Sequence, residues 1–159
     1  MRKVLVGIHD KYCSMRAVEY LIKECGNRDE LEVTLVNVFP NLPVAFWDDG
    51  HILTPEEEAE RQQTINHWAG KQRDFIEPIL QSAAYDLVRH GFRKEQVHTR
   101  FMVGTTDVAD SLLDEARRLG CKTIVLGRCG VADGKHFAVG SKVSKLINNA
   151  SGLAVCVVQ

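Results

Sequence analysis

The residues best placed to do chemistry lie in one run, GRCGVADGKHFAVGS, from Gly127 to Ser141. Glycines stand at 127, 130, 134 and 140, and Ser141 follows the last of them. Glycine lets backbone amides approach an anion closely and adopt positive φ. A helix starting near Ser141 would add free N–H groups and the positive end of its dipole. Ser141 could cap that helix or offer its hydroxyl to a phosphate oxygen. Two readings therefore stand on these residues alone. One is a cradle for a phosphate chain; the other is a flexible connection with a serine cap. Two better-known phosphate motifs are excluded. A Walker A run needs four residues between its glycines and a Ser or Thr after the lysine. Here GVADGKH has three between its glycines, and His136 follows Lys135. A dinucleotide fingerprint needs its glycines after the first strand, where this chain reads HDKYCS.

Other reactive side chains are scattered. His51, His67, His90 and His98 show no metal-ligand spacing, and no nucleophile stands beside a base. The cysteines number five, with no CxxC pair, so neither a disulfide framework nor a zinc knuckle fits and reduced thiols are expected. Cys129 lies inside the glycine run beside Arg128, where amide donors and a cation would lower a thiol's pKa. It reads either as a redox-responsive thiol or as an inert loop residue. The net charge of −1 gives no chain-wide case for binding nucleic acid or an acidic membrane. No apolar run approaches the roughly 18 residues of a membrane span. MRKVLVGIHD lacks the long apolar core of a signal peptide, so a cytoplasmic location is expected.

The elements that must position the glycine run are legible in the periodicity. KVLVGI (3–8) is continuously apolar, as a buried parallel strand requires. Met15, Ala17, Val18, Leu21 and Ile22 have helical spacing, with Gly26 expected as a left-handed stop. LEVTLVNVF (31–39) is a second strand. A Pro/Gly/Asp-rich loop follows, and TPEEE opens a helix with Thr54 as cap, Pro55 at its first position and Glu57 completing a capping box. Its pattern runs to Gly91, with a kink or break expected at Pro78. QVHTRFMV (96–103) is a third strand. A helix over 107–119, capped by Thr105 or Thr106, ends at Gly120. KTIVLG (122–127) is a fourth strand. Val143, Leu146, Ile147 and Ala150 mark a short helix ended by Gly152, and LAVCVV (153–158) is a fifth strand. Strict alternation of strand and helix over 159 residues predicts one α/β domain, a parallel sheet with helices on both faces. Ligands of such sheets bind beyond the carboxyl ends of the strands, and Gly127 stands at one.

The spacing Gly127-x2-Gly130-x9-Gly140-Ser141 resembles the nucleotide-binding signature of the universal stress protein family, G-x2-G-x9-G-[ST]. KVLVGIHDKYCSMRAV, EVTLVNVF, TIVLGRCG and GSKVSKLINNASGLAVCVV resemble that family's first strand and helix, second strand, fourth strand and closing helix and strand. The resemblance spans the whole chain. It implies a five-stranded parallel open sheet of order 3-2-1-4-5, Rossmann-like and of the adenine nucleotide alpha hydrolase type. It also implies a homodimer formed through the final strand, 153–158, and membership of the branch that binds ATP, with or without Mg or Mn. Carried over by position, Gly127, Gly130, Gly140 and Ser141 would hold phosphates and ribose. The backbone of Val38 would meet adenine, and Leu126 would give an apolar contact.

The chain also departs from that pattern. The family usually has an aspartate five residues before the serine of its first helix; here that place is His9, with Asp10 next to it. His9 either contacts the nucleoside or lines a wet strand end, and Asp10 could take the aspartate's place or approach a metal. Lys142 replaces a small apolar residue after Ser141. A lysine at a helix start opposes the dipole, a cost that bound phosphates would offset. Lys142 and Arg128 are therefore candidate phosphate ligands, beside the plainer reading of solvated surface cations. Lys135 and His136 would lie over the phosphates or point outward. The expected function is that of a nucleotide-binding stress sensor with an unidentified signalling partner. The alternatives are a slow metal-dependent ATPase, or an interaction protein working through VAFWDDGHIL.

Overall fold

The computed structural model describes residues 1–39, 50–103, 107–128 and 141–159. Among the described residues nine principal elements alternate. They are β1 (Arg2–Gly7), α1 (Cys13–Glu24), β2 (Leu31–Phe39), α2 (Pro55–Arg89), β3 (Val97–Val103), α3 (Val108–Leu119), β4 (Thr123–Gly127), α4 (Ser141–Asn149) and β5 (Ala154–Val158). The strands form one parallel sheet of order β3-β2-β1-β4-β5. This is the architecture the alternation and the resemblance imply.

Successive strand residues point to opposite faces, and that sorts the core into two layers. Val4, Val6, Ile8, Val33 and Leu35 pack with Ala17, Val18, Leu21, Ile76, Leu80 and Leu87 of α1 and α2. Leu5, Val36, Val38, Ile124 and Leu126 pack with Leu112, Leu113, Ala116 and Leu146 of α3 and α4. Helices cover both faces, so the central strands are apolar on both sides, as the unbroken hydrophobic runs foretold.

Several local expectations meet a correction. α1 ends at Cys25 with extended backbone, not with a left-handed Gly26; positive φ falls at Gly50, Gly91, Gly120 and Gly152. α2 runs unbroken through Pro78. Pro78 is exposed, so the carbonyl deprived of its N–H partner lies on a solvent-facing stretch. The cap of α3 is Asp107, whose Oδ1 accepts from the amides of Ala109 and Asp110 at 2.8 and 3.3 Å. Thr105 and Thr106 lie outside the described residues. Cys25, Cys121 and Cys156 are free thiols, but Cys13 is disulfide-bonded, against the expectation of reduced thiols throughout. The capping box of Thr54 and Glu57 is present, with bonds of 2.8 and 3.3 Å. Among the described residues no helix is long and apolar enough to cross a membrane.

Candidate functional site

A cavity of about 820 Å³ opens over the carboxyl ends of β1, β2 and β4. It is where an open parallel sheet presents ligands to its loops and helix starts. The cavity brings together His9, Asp10, Val38, Leu126, Gly127, Arg128 and Lys142. Those seven are scattered over more than a hundred residues of sequence, and the sheet order alone gathers them. Gly130 and Gly140 lie outside the described residues, as do Cys129, Lys135 and His136. Ser141 is the first residue of α4, the place expected for it.

Gly127 has a structural reason to be glycine. A Cβ there would stand 1.7 Å from the carbonyl oxygen of Cys13 and 3.0 Å from Cα of Ser14. The end of β4 and the start of α1 therefore touch backbone to backbone. Arg16 Nη1 strengthens the junction by donating to the Arg128 carbonyl at 3.1 Å, while the Arg128 amide donates to Val158 at 2.7 Å.

The turn between β1 and α1 is held by its own side chains. Ser14 is fully buried, and its Oγ accepts from the amides of His9 (2.9 Å) and Asp10 (3.2 Å). With both lone pairs engaged, its hydroxyl proton is directed at His9 Nδ1, 3.1 Å away. The ring's other nitrogen, Nε2, faces Asp10 Oδ2 at 3.0 Å. The other carboxylate oxygen, Asp10 Oδ1, accepts from the amides of Cys13 and Ser14 at 2.7 and 3.1 Å. Asp10 is thus the acidic group that satisfies the start of α1, and both of its oxygens have partners.

α3 and α4 are clamped together beside the cavity. Lys145 reaches Asp110 Oδ2 at 2.7 Å and Asp107 Oδ2 at 3.3 Å. Burial pushes the Asp107 carboxyl up, but the Asp110 and Ala109 amides and Lys145 more than offset it and hold it below the usual carboxylate range. Asp107→Ala removes the cap and one of the two carboxylates that hold Lys145 and is expected to lower stability by about 1–2 kcal/mol in urea unfolding, with Asp107→Asn retaining most of the cap. Equal stability of wild type and Asp107→Ala would contradict the role.

Sequence reasoning missed one wall of the cavity. Trp68, Gln72, Phe75 and Ile76 of α2 line it, together with Asn37 and Phe39 of β2. Their spacing along α2 is that of one helical face, a signal obscured because most of α2 before Ile76 is solvent-exposed and polar. Phe39 meets Phe101 edge-on at 4.4 Å and Trp68 at 5.7 Å between ring centres.

Comparison with known proteins agrees with the geometry. No curated protein matches this chain in sequence. Solved structures match its fold at low identity. A protein of the universal stress protein family from Burkholderia pseudomallei is 17% identical with a TM-score of 0.65, over 98% of this chain and 94% of that one. The universal stress protein of Archaeoglobus fulgidus in complex with dAMP is 16% identical, with a TM-score of 0.60 over 100% and 98%. A universal stress protein family member from Arabidopsis thaliana, with AMP bound, is 14% identical, with a TM-score of 0.58 over 99% and 91%. The sequence model of the universal stress protein family matches residues 1–158. With sheet order, glycine spacing and whole-length match in agreement, the chain belongs to the universal stress protein family.

Proposed function

We propose that this chain binds an adenine nucleotide at the cavity over β1, β2 and β4 and acts as a stress-responsive regulator. The observation that carries the reading is the convergence of Val38, Leu126, Gly127, Arg128 and Lys142 on one cavity beside the start of α4. A base fits the apolar floor at Val38 and Leu126. The phosphates fit the α4 start, where the N-terminal end of the helix dipole favours anions. Lys142 lines the cavity there, and its charge is best understood with phosphates bound. The relatives that hold AMP and dAMP support the same ligand class. ATP is the preferred ligand on the glycine spacing, with Mg or Mn arriving on its phosphates. Among the described residues no three His, Cys, Asp or Glu side chains stand together as a metal site. Hydrolysis is not part of the proposal, since Asp10 is committed to the α1 amides and to His9.

Equilibrium titration of ATP and AMP into the purified chain tests the reading. Binding is expected below about 1 mM, and its absence at several-fold higher nucleotide sinks it. Lys142→Glu should weaken ATP by about tenfold and AMP by less, because the lost attraction scales with phosphate charge. We also propose that the apolar edge strand β5 pairs with a second copy and covers an otherwise open edge. Light scattering should then give twice the chain mass.

A further inference from the structure

Of the described residues that line the cavity, Arg128 and Lys142 alone carry a permanent positive charge. Lys142 stands on α4, whereas Arg128 follows the last residue of β4, so its place depends on how the chain leaves the sheet. Both polar groups of its backbone are engaged there. The Arg128 amide donates to the Val158 carbonyl at 2.7 Å, one residue past the paired Gly127 and Val158. The Arg128 carbonyl accepts from Arg16 Nη1 at 3.1 Å. Peptide groups are planar, so holding the backbone on both sides sets the direction in which the Arg128 side chain departs. Arg16 itself does not line the cavity.

Arg16 reaches that carbonyl because of where α1 starts. Cys13 and Arg16 are three residues apart and share a helix face. The Cys13 backbone rests on Gly127, whose added Cβ would stand 1.7 Å from the Cys13 carbonyl oxygen. Helical side chains lean toward the N-terminus of their helix, so Arg16 leans back over this first turn onto the residue after Gly127. Glu19, one turn further along α1, pairs with Lys23 at 3.6 Å instead. The Arg16 bond is not what keeps β4 against α1. The backbone contact of Gly127 with buried Cys13 and Ser14 does that. Arg16 is exposed, and water can take its place at the carbonyl once the guanidinium is removed. What the bond adds is direction. We infer that Arg16 is a positioning residue for the nucleotide phosphates: it holds the Arg128 backbone so that the Arg128 side chain meets them. The inference rests on the nucleotide reading given above.

The test is calorimetric titration of ATP and of adenosine into the full chain, Arg16→Met, Arg128→Met and the double variant. Methionine keeps an unbranched stem and removes the donors. Arg16→Met should bind ATP about fivefold more weakly and adenosine within about twofold of wild type, since adenosine has no phosphate for Arg128 to meet. Its urea-unfolding midpoint should match that of wild type. Arg128→Met should weaken ATP about tenfold. Adding Arg16→Met to it should bring no further loss, because a residue that acts through Arg128 then has nothing left to position. Wild-type ATP affinity in Arg16→Met overturns the inference. So do equal losses for ATP and adenosine, with or without a lowered midpoint. Losses that multiply in the double variant overturn it too, since Arg16 would then act by its own charge. A wild type that binds neither ligand removes the nucleotide reading and the inference with it, whereas ATP held alike by wild type and Arg16→Met removes the inference alone.

Discussion

Gly127→Ala should be among the most destabilising single-methyl additions in this chain. The added Cβ would lie 1.7 Å from the Cys13 carbonyl oxygen, a distance no flexible side chain can relieve because both sides are backbone. Relief requires β4 and α1 to separate, which would strain the Arg16 bond to the Arg128 carbonyl and the Ser14 network at the turn. Overpacking a close-packed interior typically costs about 1–3 kcal/mol, occasionally more. A clash of backbone on backbone belongs at or above the top of that range. For a domain of this size, 3 kcal/mol is roughly 6–12 °C in Tm. Gly7→Ala provides the contrast. Its Cβ would meet Leu126 Cδ2 at 2.5 Å, the tip of a side chain that can turn aside. Urea unfolding should therefore rank Gly127→Ala well below Gly7→Ala, and the same order should hold in the absence of any nucleotide. If Gly127→Ala lost nucleotide affinity while keeping wild-type stability, the glycine would serve the ligand alone and the packing argument would fail.

That prediction also shows what the sequence could and could not reveal. The element order and the sheet were legible because burial on both faces demands continuous apolar strands, and Val4–Val6 and Ile124–Leu126 supply them. The place of the site followed, since Gly127 had to stand at a strand's carboxyl end. The reason for Gly127 was not legible. Glycine spacing pointed to phosphate, whereas contact with Cys13 arises from two segments more than a hundred residues apart. His9 and Asp10 were read as possible ligands because they stand at and beside the place of the resembled family's aspartate; the structure adds that they hold each other and α1. The α2 wall escaped notice for a different reason. Trp68 and Gln72 sit where the helix is mostly polar, and only its docking beside β2 makes that stretch part of a cavity. Pro78 misled because its exposed position tolerates the missing hydrogen bond.

Glu115 was hidden as well, and it supports the second large expected effect. It lies on the apolar face of α3, 3% exposed, a carboxylate where the helical pattern calls for a hydrophobe. Arg118 grips it with two bonds of 2.7 and 2.8 Å, and Arg100 of β3 reaches it at 2.7 Å. The Arg118 hydrogen bonds, joined by the charges of both arginines, hold the carboxyl below the usual range against the opposing push of burial. Because the folded pKa is depressed, this carboxylate's contribution to stability is fully present above the unfolded value of about 4.3 and is lost as pH falls toward the folded one. Arg100→Met combined with Arg118→Met would leave the carboxylate buried and bare. Removing the partners of a buried charge costs about 3–5 kcal/mol. Burial alone would then raise the pKa above its unfolded value. The sign of the pH dependence reverses: stability is retained at low pH and lost as pH rises through the raised pKa. Glu115→Gln should be milder, at about 1–2 kcal/mol, because Arg100 and Arg118 are each about half exposed and can turn to water. The measurement is urea unfolding of the three proteins between pH 4 and pH 7. The double variant should lose ground to Glu115→Gln steadily as pH rises across that interval. Parallel curves would mean that the arginines act by packing their stems, and that the charge on Glu115 contributes nothing to joining β3 and α3.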